Sequence, residues 1–247
     1  MKNLTSLSLF NADRHRDVRI MPGPDIALGN RLNHVQIGLS ETGVAASDYP
    51  LVFMKDVDSG SFRLVALFGL RQGSNCFLIN DQWQATYLPL AVVGWPFHLG
   101  GPDQLLCIDE GSDLVSTDAG SALYTGGGNE TAELLRIRSM FEYLRSDVDS
   151  ANNFTAVLVD LNLLRPIHVT LEFADGESEL IEGLYSISPL RLSALEDTTI
   201  MDMHRRSLLD KIHIIMNSLG QMNRIQQLSR VYFDRKIARL TTEMTSQ

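Results

Sequence analysis

Residues 49–99 constrain the fold of this chain more than any other stretch. They form short apolar segments rich in Val, Ile, Leu and Phe, separated by glycine-containing turns, and they close on Trp95, Pro96 and Phe97. Such segments are typical of neighbouring antiparallel strands, because glycine accepts the positive φ that tight hairpins require. The run therefore predicts an antiparallel β-meander or a partly closed barrel in the N-terminal half of the chain.

The individual strands follow from the same pattern of apolar runs and turns. We predict a meander over residues 51–55, 62–70 and 76–80, with turns at 58–60 and 72–74 and a further strand over 105–109. Before the meander, a Pro-Gly-Pro sequence at 22–24 separates two shorter predicted strands, 17–21 and 34–39. These two strands are expected to form an N-terminal arm that packs on the main body.

Helical periodicity begins after the turn-rich residues 110–129. Six apolar residues recur there at helical spacing: Leu134, Leu135, Ile137, Met140, Phe141 and Leu144. This spacing predicts a helix. A second helix is predicted over 153–163, ended by Pro166 because proline cannot continue a helix.

The remaining part of the core is predicted to return to strands before the chain ends in helix. Residues 167–173 and 179–185 flank an Asp-Gly turn and predict a late hairpin, and Pro189 is suited to the first turn of a short helix reaching Leu195. Strands followed by helices indicate the α+β class. We predict one domain overall, with an arm (1–48), an α+β core (49–202) and a C-terminal helix with a basic tail (203–247).

The last predicted element is a long amphipathic helix from about Met203 to Leu240. Its apolar stripe alternates steps of four and three: Leu208, Ile212, Ile215, Leu219 and Met222. Such a stripe is typical of coiled coils. It predicts either a helix docked on the body of the same chain or the seam of a homodimer, and the basic residues that follow it offer a contact for an acidic partner.

The composition excludes some classes of protein. A net charge of −9 and a pI near 5.1 argue against a nucleic-acid-binding surface, which needs clustered cations. No stretch approaches the roughly 18–20 apolar residues of a transmembrane helix, and charged residues interrupt the N-terminal region before any signal-like cleavage site. We therefore expect a cytoplasmic protein. Cys76 and Cys107 lie in apolar runs and are expected to be small buried side chains.

Several segments, taken in order, resemble the SapC family of bacterial proteins. They are His15-Arg16-Asp17-Val18-Arg19; Glu41 with Ala45, Ala46, Tyr49, Pro50 and Phe53; Asn80-Asp81-Gln82-Trp83 with Tyr87, Leu88, Pro89, Pro96 and Phe97; Cys107-Ile108-Asp109-Glu110; Asp175-Gly176 with Gly183-Leu184-Tyr185; and Asn217-Ser218-Leu219. The resemblance implies bacterial origin and genes neighbouring those of outer-membrane receptors, flavin-dependent halogenases and cupin-like proteins. It implies no established catalytic residues.

Linear catalytic and metal-binding motifs are lacking. The six histidines are scattered without the i, i+4 pairing of a zinc-binding helix, and no Gly-x-Ser-x-Gly nucleophile elbow occurs. We therefore predict no metal and no cofactor. If the protein is an enzyme, its active site must be assembled from residues that are distant in sequence. The candidate catalytic residues are then His98, Asp109 and His168.

The strongest candidate site is a block of aromatic residues: Trp83, Tyr87, Trp95, Phe97 and His98. Such side chains combine apolar faces with hydrogen-bonding edges, as in ligand pockets, but they also pack well in a core. We predict a non-catalytic accessory or binding protein that contacts a protein partner or a small ligand through this block. The alternatives are the enzyme described above and a component associated with the surface layer.

Overall fold

The computed structural model describes residues 7–23, 32–57, 59–71, 73–80, 82–101, 103–232 and 236–245, of which 230–232 by backbone alone. The strands are β1 (Leu7–Leu9), β2 (Arg19–Ile20), β3 (His34–Gln36), β4 (Leu51–Lys55), β5 (Phe62–Leu67), β6 (Leu78–Ile79), β7 (Gln82–Trp83), β8 (Phe97–Gly100), β9 (Leu105–Asp109), β10 (Val115–Ser116), β11 (Ser121–Ala122), β12 (Leu164–Phe173), β13 (Ser178–Ile187) and β14 (Ile237–Met244). The α-helices are α1 (Ala12–His15), α2 (Thr42–Ala45), α3 (Leu90–Val93), α4 (Ala132–Asp160), α5 (Pro189–Ser193), α6 (Asp197–Arg205), α7 (Leu208–Ser218) and α8 (Met222–Tyr232).

The chain forms two compact units, each built from two stretches of sequence. The first unit comprises Met1–Arg31 and Pro89–Ser146, and the second comprises Leu32–Leu88 and Asp147–Gln247. Helix α4 contributes residues to both. The predicted arm therefore supplies β2 to the first unit and β3 to the second.

The first unit contains two small antiparallel sheets, with strand orders β1-β9-β8 and β10-β2-β11. Its core holds Phe97 and Ile108 from one face of the first sheet, both essentially unexposed. Most of the predicted helical stripe of α4 is also buried, whereas Leu135 is 53% exposed and Met140 is partly exposed. The rings of Phe97 and Phe141 meet at a centroid distance of 6.5 Å. Gly94 lies so close to Phe141 that a Cβ there would approach the ring to 2.4 Å, so this packing requires glycine.

The second unit is organised around a six-stranded sheet of order β14-β12-β13-β4-β5-β3, curved as a half-barrel. All neighbouring strands in it are antiparallel. Its hairpin β4–β5 confirms the first two strands of the predicted meander, and β12–β13 confirms the predicted late hairpin. The third predicted strand, 76–80, is wrong as a part of this sheet, because only Leu78–Ile79 is a strand there and it pairs with β7 in a separate two-stranded sheet. Together with the helices, this sheet confirms the α+β class.

Two predicted helices are wrong in their boundaries, because α4 is a single helix of 29 residues. The polar side chains near position 152 form hydrogen bonds without interrupting the helix. Thr155 donates its hydroxyl to the Ala151 carbonyl, and Asn152 accepts from the Gln36 amide. The helix ends at Asp160, and Pro166 lies inside β12.

The C-terminal region is helical over most of residues 208–232, which confirms a long amphipathic helix but not its predicted limits. Ser207 adopts a left-handed φ of 55° between α6 and α7, and a 3-10 turn at Leu219–Gln221 separates α7 from α8. After α8 the chain returns as β14, which pairs with β12. The prediction of helix through Leu240 is therefore wrong.

Most of the predicted apolar stripe is covered by the chain itself. Leu208, Ile212, Ile215 and Met222 are at most 9% exposed, and Leu219 is partly exposed. The hydroxyl of Ser218 accepts the backbone N–H of Leu51 at 2.9 Å, which ties α7 to β4. A docked helix accounts for this burial, while homodimerisation through the stripe stays a prediction. Arg235 of the predicted basic tail lies outside the described residues.

Within the described part of the chain, no helix is both long and apolar enough to cross a membrane.

Candidate functional site

The predicted aromatic block divides between the units, and its first part, Trp83 and Tyr87, belongs to a hydrogen-bond network in the second unit. The Tyr49 hydroxyl accepts the indole N–H of Trp83 at 2.7 Å and donates to the backbone carbonyl of Tyr87. The Tyr87 hydroxyl donates to Glu41 at 2.7 Å, and the other oxygen of that carboxylate accepts the Gly38 N–H at 2.9 Å. Each polar group of this network thus has a partner inside the unit.

Tyr49 is the centre of this network and is completely buried. Its ring contacts those of Phe68 and Phe77 at centroid distances of 5.2 and 4.8 Å. Burial raises the pKa of its hydroxyl far above the ordinary value, so it stays protonated and able to donate. Trp83 packs edge-on against Phe68 in the same cluster. These contacts give Trp83 and Tyr87 a role in holding the unit together.

The second part of the block, Trp95, Phe97 and His98, lies in the first unit. Phe97 is 1% exposed and belongs to the core, with its ring edge-on to Phe10. Trp95 and His98 are partly exposed, and their rings stack at a centroid distance of 5.8 Å. The Nδ1 atom of His98 is buried and has no hydrogen-bond partner among the described residues. Trp95 and His98 thus combine partial exposure with a polar edge in the first unit, as Trp83 and Tyr87 do in the second.

His98 lies on an outward sheet face that we call the leucine face. Strand register pairs His98 and Leu9 with Cys107, Leu7 with Asp109, and Leu105 with Gly100. Because side chains alternate along a strand, these residues share one face, opposite the core residues Phe97 and Ile108. We define the leucine face by its partly or largely exposed members: Leu7, Leu9, Leu105, Cys107 and His98. The three leucines are 41%, 51% and 46% exposed, respectively.

Gly100 has no side chain, and the space that this leaves on the leucine face is bordered by the Cys107 thiol and the His98 imidazole. A Cβ at Gly100 would lie 2.8 Å from Cys107 Sγ and 3.7 Å from His98 Nε2. Burial lowers the pKa of His98, although the charge of Asp109 raises it, and burial raises the pKa of Cys107. Both shifts favour the neutral forms, whereas a nucleophilic cysteine requires a thiolate.

The other candidate catalytic residues lie in different surroundings. Asp109 is 1% exposed, and its carboxylate accepts the Gly111 N–H at 3.0 Å. His168 belongs to β12 in the second unit, where its Nε2 lies 3.5 Å from a carboxylate oxygen of Glu182. His168 is 37% exposed, so this contact is weakened by solvent.

Sequence reasoning missed a polar cluster in the first unit, formed by Ser8, Arg14, His15 and Glu110. One carboxylate oxygen of Glu110 accepts from Ser8 at 2.5 Å and from the ring Nε2 of His15 at 3.0 Å. Arg14 donates to the other oxygen at 2.8 Å. The hydrogen bond from Ser8, followed by those from His15 and Arg14, lowers the pKa of Glu110. His15 begins the first family-like segment of the sequence, which was the available signal.

The composition of this cluster is that of a serine–histidine–acid triad, but its hydrogen bonds are not. In a triad the imidazole nitrogen facing the serine accepts its proton, and the acid orients the other nitrogen. Here Nδ1 of His15 lies 3.1 Å from the backbone nitrogen and 3.0 Å from the carbonyl oxygen of Asn11. Its Nε2 lies 3.0 Å from the Glu110 oxygen that Ser8 bonds and 3.3 Å from the Ser8 hydroxyl. The acid is therefore on the same ring nitrogen as the serine, and the cluster anchors α1 to the end of β9.

Among the residues that the structure describes, no group of three or more His, Cys, Asp or Glu side chains is arranged to hold a metal ion.

Comparisons with known proteins identify the family. The model of the SapC family matches residues 10–225, which include the leucine-face strands β8 and β9, the Tyr49 network and α7. No curated protein and no solved structure matches the chain. Because the family match covers most of the sequence, the chain belongs to the SapC family.

Proposed function

We propose that this protein is a cytoplasmic binding protein with no covalent chemistry of its own, and that the leucine face binds an apolar surface of a partner protein. The observation that carries the proposal is the exposure of Leu7, Leu9 and Leu105 on one sheet face, beside the stacked rings of Trp95 and His98. Contiguous exposed apolar side chains are typical of interaction sites in folded proteins.

The energetics favour a protein partner over a small molecule. Complete burial of an exposed leucine contributes about 1.5–3 kcal/mol, so covering three half-exposed leucines contributes several kcal/mol. An open sheet face offers contact area without enclosure, as protein interfaces do. Trp95 adds a ring of the type that is enriched at the centres of such interfaces.

The chemistry of the face also favours binding. The thiol of Cys107 and the imidazole of His98 are shifted toward their neutral forms, so they present apolar or weakly polar surface at neutral pH. Both cysteines of the chain are free of disulfides, which fits a reducing compartment. Cell fractionation tests the cytoplasmic location, and recovery outside the cytoplasm would contradict it.

Site-specific photo-crosslinking in the host cells tests the proposed interface. A photoreactive phenylalanine analogue replaces Leu9, or Val57 as the control, because Val57 is 98% exposed and lies in a turn of the second unit. We expect a discrete adduct with one other protein from position 9 and none from position 57. A Leu105→Ser substitution should reduce the adduct at least about tenfold, the equivalent of 1.4 kcal/mol.

The results that contradict this interface are specific. Equal adducts from positions 9 and 57, or an adduct unaffected by Leu105→Ser, would show that the leucine face does not select the partner. If the adduct joins two copies of this chain, the leucine face mediates self-association, and the proposal of a different partner protein is contradicted. Turnover of a small molecule by the purified protein, lost in His98→Gln while the fold is kept, would instead support the enzyme alternative.

A further inference from the structure

The second unit contains an open cavity of about 730 Å³ at the end of the β12–β14 strand pair. Its polar lining comes from Arg165 and His168 on β12, Arg191 on α5, and Glu243 and Thr245 at the end of β14. Pro166 and Met244 add apolar surface. Cavities of roughly 300–1,000 Å³ with a few convergent polar groups are typical of small-molecule sites.

Two guanidinium groups meet at this cavity. Nη1 of Arg165 donates to the side-chain oxygen of Asn162 at 3.2 Å and to the Leu164 carbonyl at 2.8 Å. Nη1 of Arg191 donates to the backbone carbonyl of the same Asn162 at 3.2 Å. Asn162 has a left-handed φ of 55°, and this turn directs both its side chain and its carbonyl toward the arginines. The two like charges are thus held beside one another by neutral acceptors.

Neither guanidinium is neutralised by a carboxylate among the described residues. Arg63 and Arg71 in the same unit form ion pairs with Asp56 and Glu179, whereas Arg165 and Arg191 have only neutral oxygen partners. In addition, Nε of Arg165 is buried and has no acceptor among the described residues. A guanidinium has five N–H donors, so each arginine retains donors for a further acceptor. An oxyanion would supply that acceptor and reduce the repulsion between the two charges.

We propose that this cavity binds a small ligand through an oxyanion group, a carboxylate or a phosphate, held by Arg165 and Arg191. The rest of the cavity selects for ligand groups that donate hydrogen bonds. Glu243 offers a carboxylate, and Thr245 offers the lone pairs of a hydroxyl whose proton is already donated to the Pro166 carbonyl at 2.9 Å. The ligand therefore carries an oxyanion at one end and a hydroxyl or amino group at the other.

This inference does not depend on the leucine face, because the cavity and all of its lining residues belong to the second unit. Its proposed ligand is a small molecule, and its recognition is electrostatic. Loss of the partner adduct in Leu105→Ser leaves it unaffected, and loss of anion binding leaves the adduct unaffected. The two proposals can therefore fail separately.

Calorimetric titration of the full chain with inorganic phosphate and with succinate, at constant ionic strength, tests the site. We expect saturable binding of at least one probe at a stoichiometry of one, and the tighter probe identifies the oxyanion. Arg165→Gln and Arg191→Gln should each weaken binding about tenfold or more, since each removes a charged donor. Arg165→Lys should bind with intermediate affinity, because lysine keeps the charge and loses the planar fork.

Arg63→Gln is the matched control, because Arg63 is a half-exposed arginine of the same unit outside the cavity. It should leave the affinity unchanged. Equal weakening by Arg63→Gln would reduce the effect to net charge and overturn the site, as would the absence of saturable binding for both probes. Circular dichroism verifies folding of each variant; if Arg165→Gln unfolds, Arg191→Gln and Arg165→Lys decide the question.

Discussion

The two tryptophans of this chain have the same side chain and different roles. Trp83, in the second unit, donates its indole N–H to the buried Tyr49 hydroxyl and packs edge-on against Phe68 at 5.1 Å. Trp95, in the first unit, stacks on a partly exposed histidine beside a face of exposed leucines. The density of aromatic residues in sequence therefore does not distinguish a structural anchor from a contact surface. The partners of each ring do.

The largest expected effect is at the centre of the Tyr49 network. Tyr49→Ala removes a completely buried ring and leaves a cavity between Phe68 and Phe77, so we expect a loss of about 4 kcal/mol in the free energy of unfolding. Urea denaturation followed by tryptophan fluorescence measures it. Tyr143→Ala is the control, because Tyr143 is 54% exposed and its removal should cost less than about 1 kcal/mol. Equal losses would contradict the structural role of Tyr49.

The hydrogen bond between Tyr87 and Glu41 comes next. Glu41 is 3% exposed, and Tyr87→Phe leaves one oxygen of its carboxylate without the hydroxyl donor, which costs about 2 kcal/mol. A double-mutant cycle with Glu41→Gln separates this bond from other effects of the ring. We expect the double variant to be clearly more stable than the sum of the single losses predicts. Strict additivity would mean that the two groups do not interact.

The SapC-like segments of the sequence coincide with these anchors. Glu41, Tyr49, Trp83, Tyr87 and Ser218 come from three separate family-like segments, and each makes a hydrogen bond between elements of the second unit. The sequence predicts a binding role for Trp83 and Tyr87, and that role stays a prediction. Their hydrogen bonds, like those of Glu41, Tyr49 and Ser218, hold distant parts of one unit together.

Local patterns predicted the fold where structure is local. The hairpins β4–β5 and β12–β13 were found because their strands and turns are adjacent in sequence. Strand β14 was missed because its partner β12 begins about seventy residues earlier, and its Thr-Thr-Glu sequence carries no clear alternation. The break at Ser207 was missed for another reason: a left-handed serine is set by tertiary packing and not by residue type.

The candidate sites were predictable only in part. Trp95 and His98 are three residues apart, so their association was visible in the sequence. Cys107 joins them through strand pairing, and the arginine cavity joins residues 165, 191 and 243 through the fold alone. Single arginines at these positions have no distinguishing pattern in the sequence, and the fold brings them to one cavity.

A smaller effect is expected at the gap on the leucine face. Gly100→Ala places a Cβ 2.8 Å from Cys107 Sγ, and this overpacking should cost about 1.5 kcal/mol. Cys107→Ala removes the sulfur and leaves the nearest Cys107 atom at 3.6 Å, so the double variant should recover about 1 kcal/mol. Gly126→Ala is the control, because nothing lies within 4 Å of its added Cβ. A double variant no more stable than Gly100→Ala would contradict the assigned contact.

The smallest expected effect is the pH dependence that His98 gives to stability. Burial lowers its pKa against the opposing charge of Asp109, so between that lowered value and the ordinary value near 6.5 the unfolded chain binds more protons than the folded one. The stability contributed by neutral His98 is therefore present above about pH 6.5 and is lost as the pH falls below it. Urea denaturation at pH 7 and pH 5 should show a smaller loss in His98→Gln than in the unmodified protein.

The choice of pH window and control makes this measurement specific to His98. The lowered pKa values of Glu110 and Glu133 act below about pH 4.5, outside the window. His34 also has a pKa lowered by burial, so the unmodified protein carries two such contributions, and His98→Gln should remove one of them. His213→Gln, at an exposed position, is the control and should reproduce the unmodified profile. If His98→Gln also reproduces the unmodified profile, the prediction is contradicted, because the imidazole of His98 is then as well solvated as an exposed one. The ring beside Trp95 would then be solvated, whereas the rings beside Trp83 are buried.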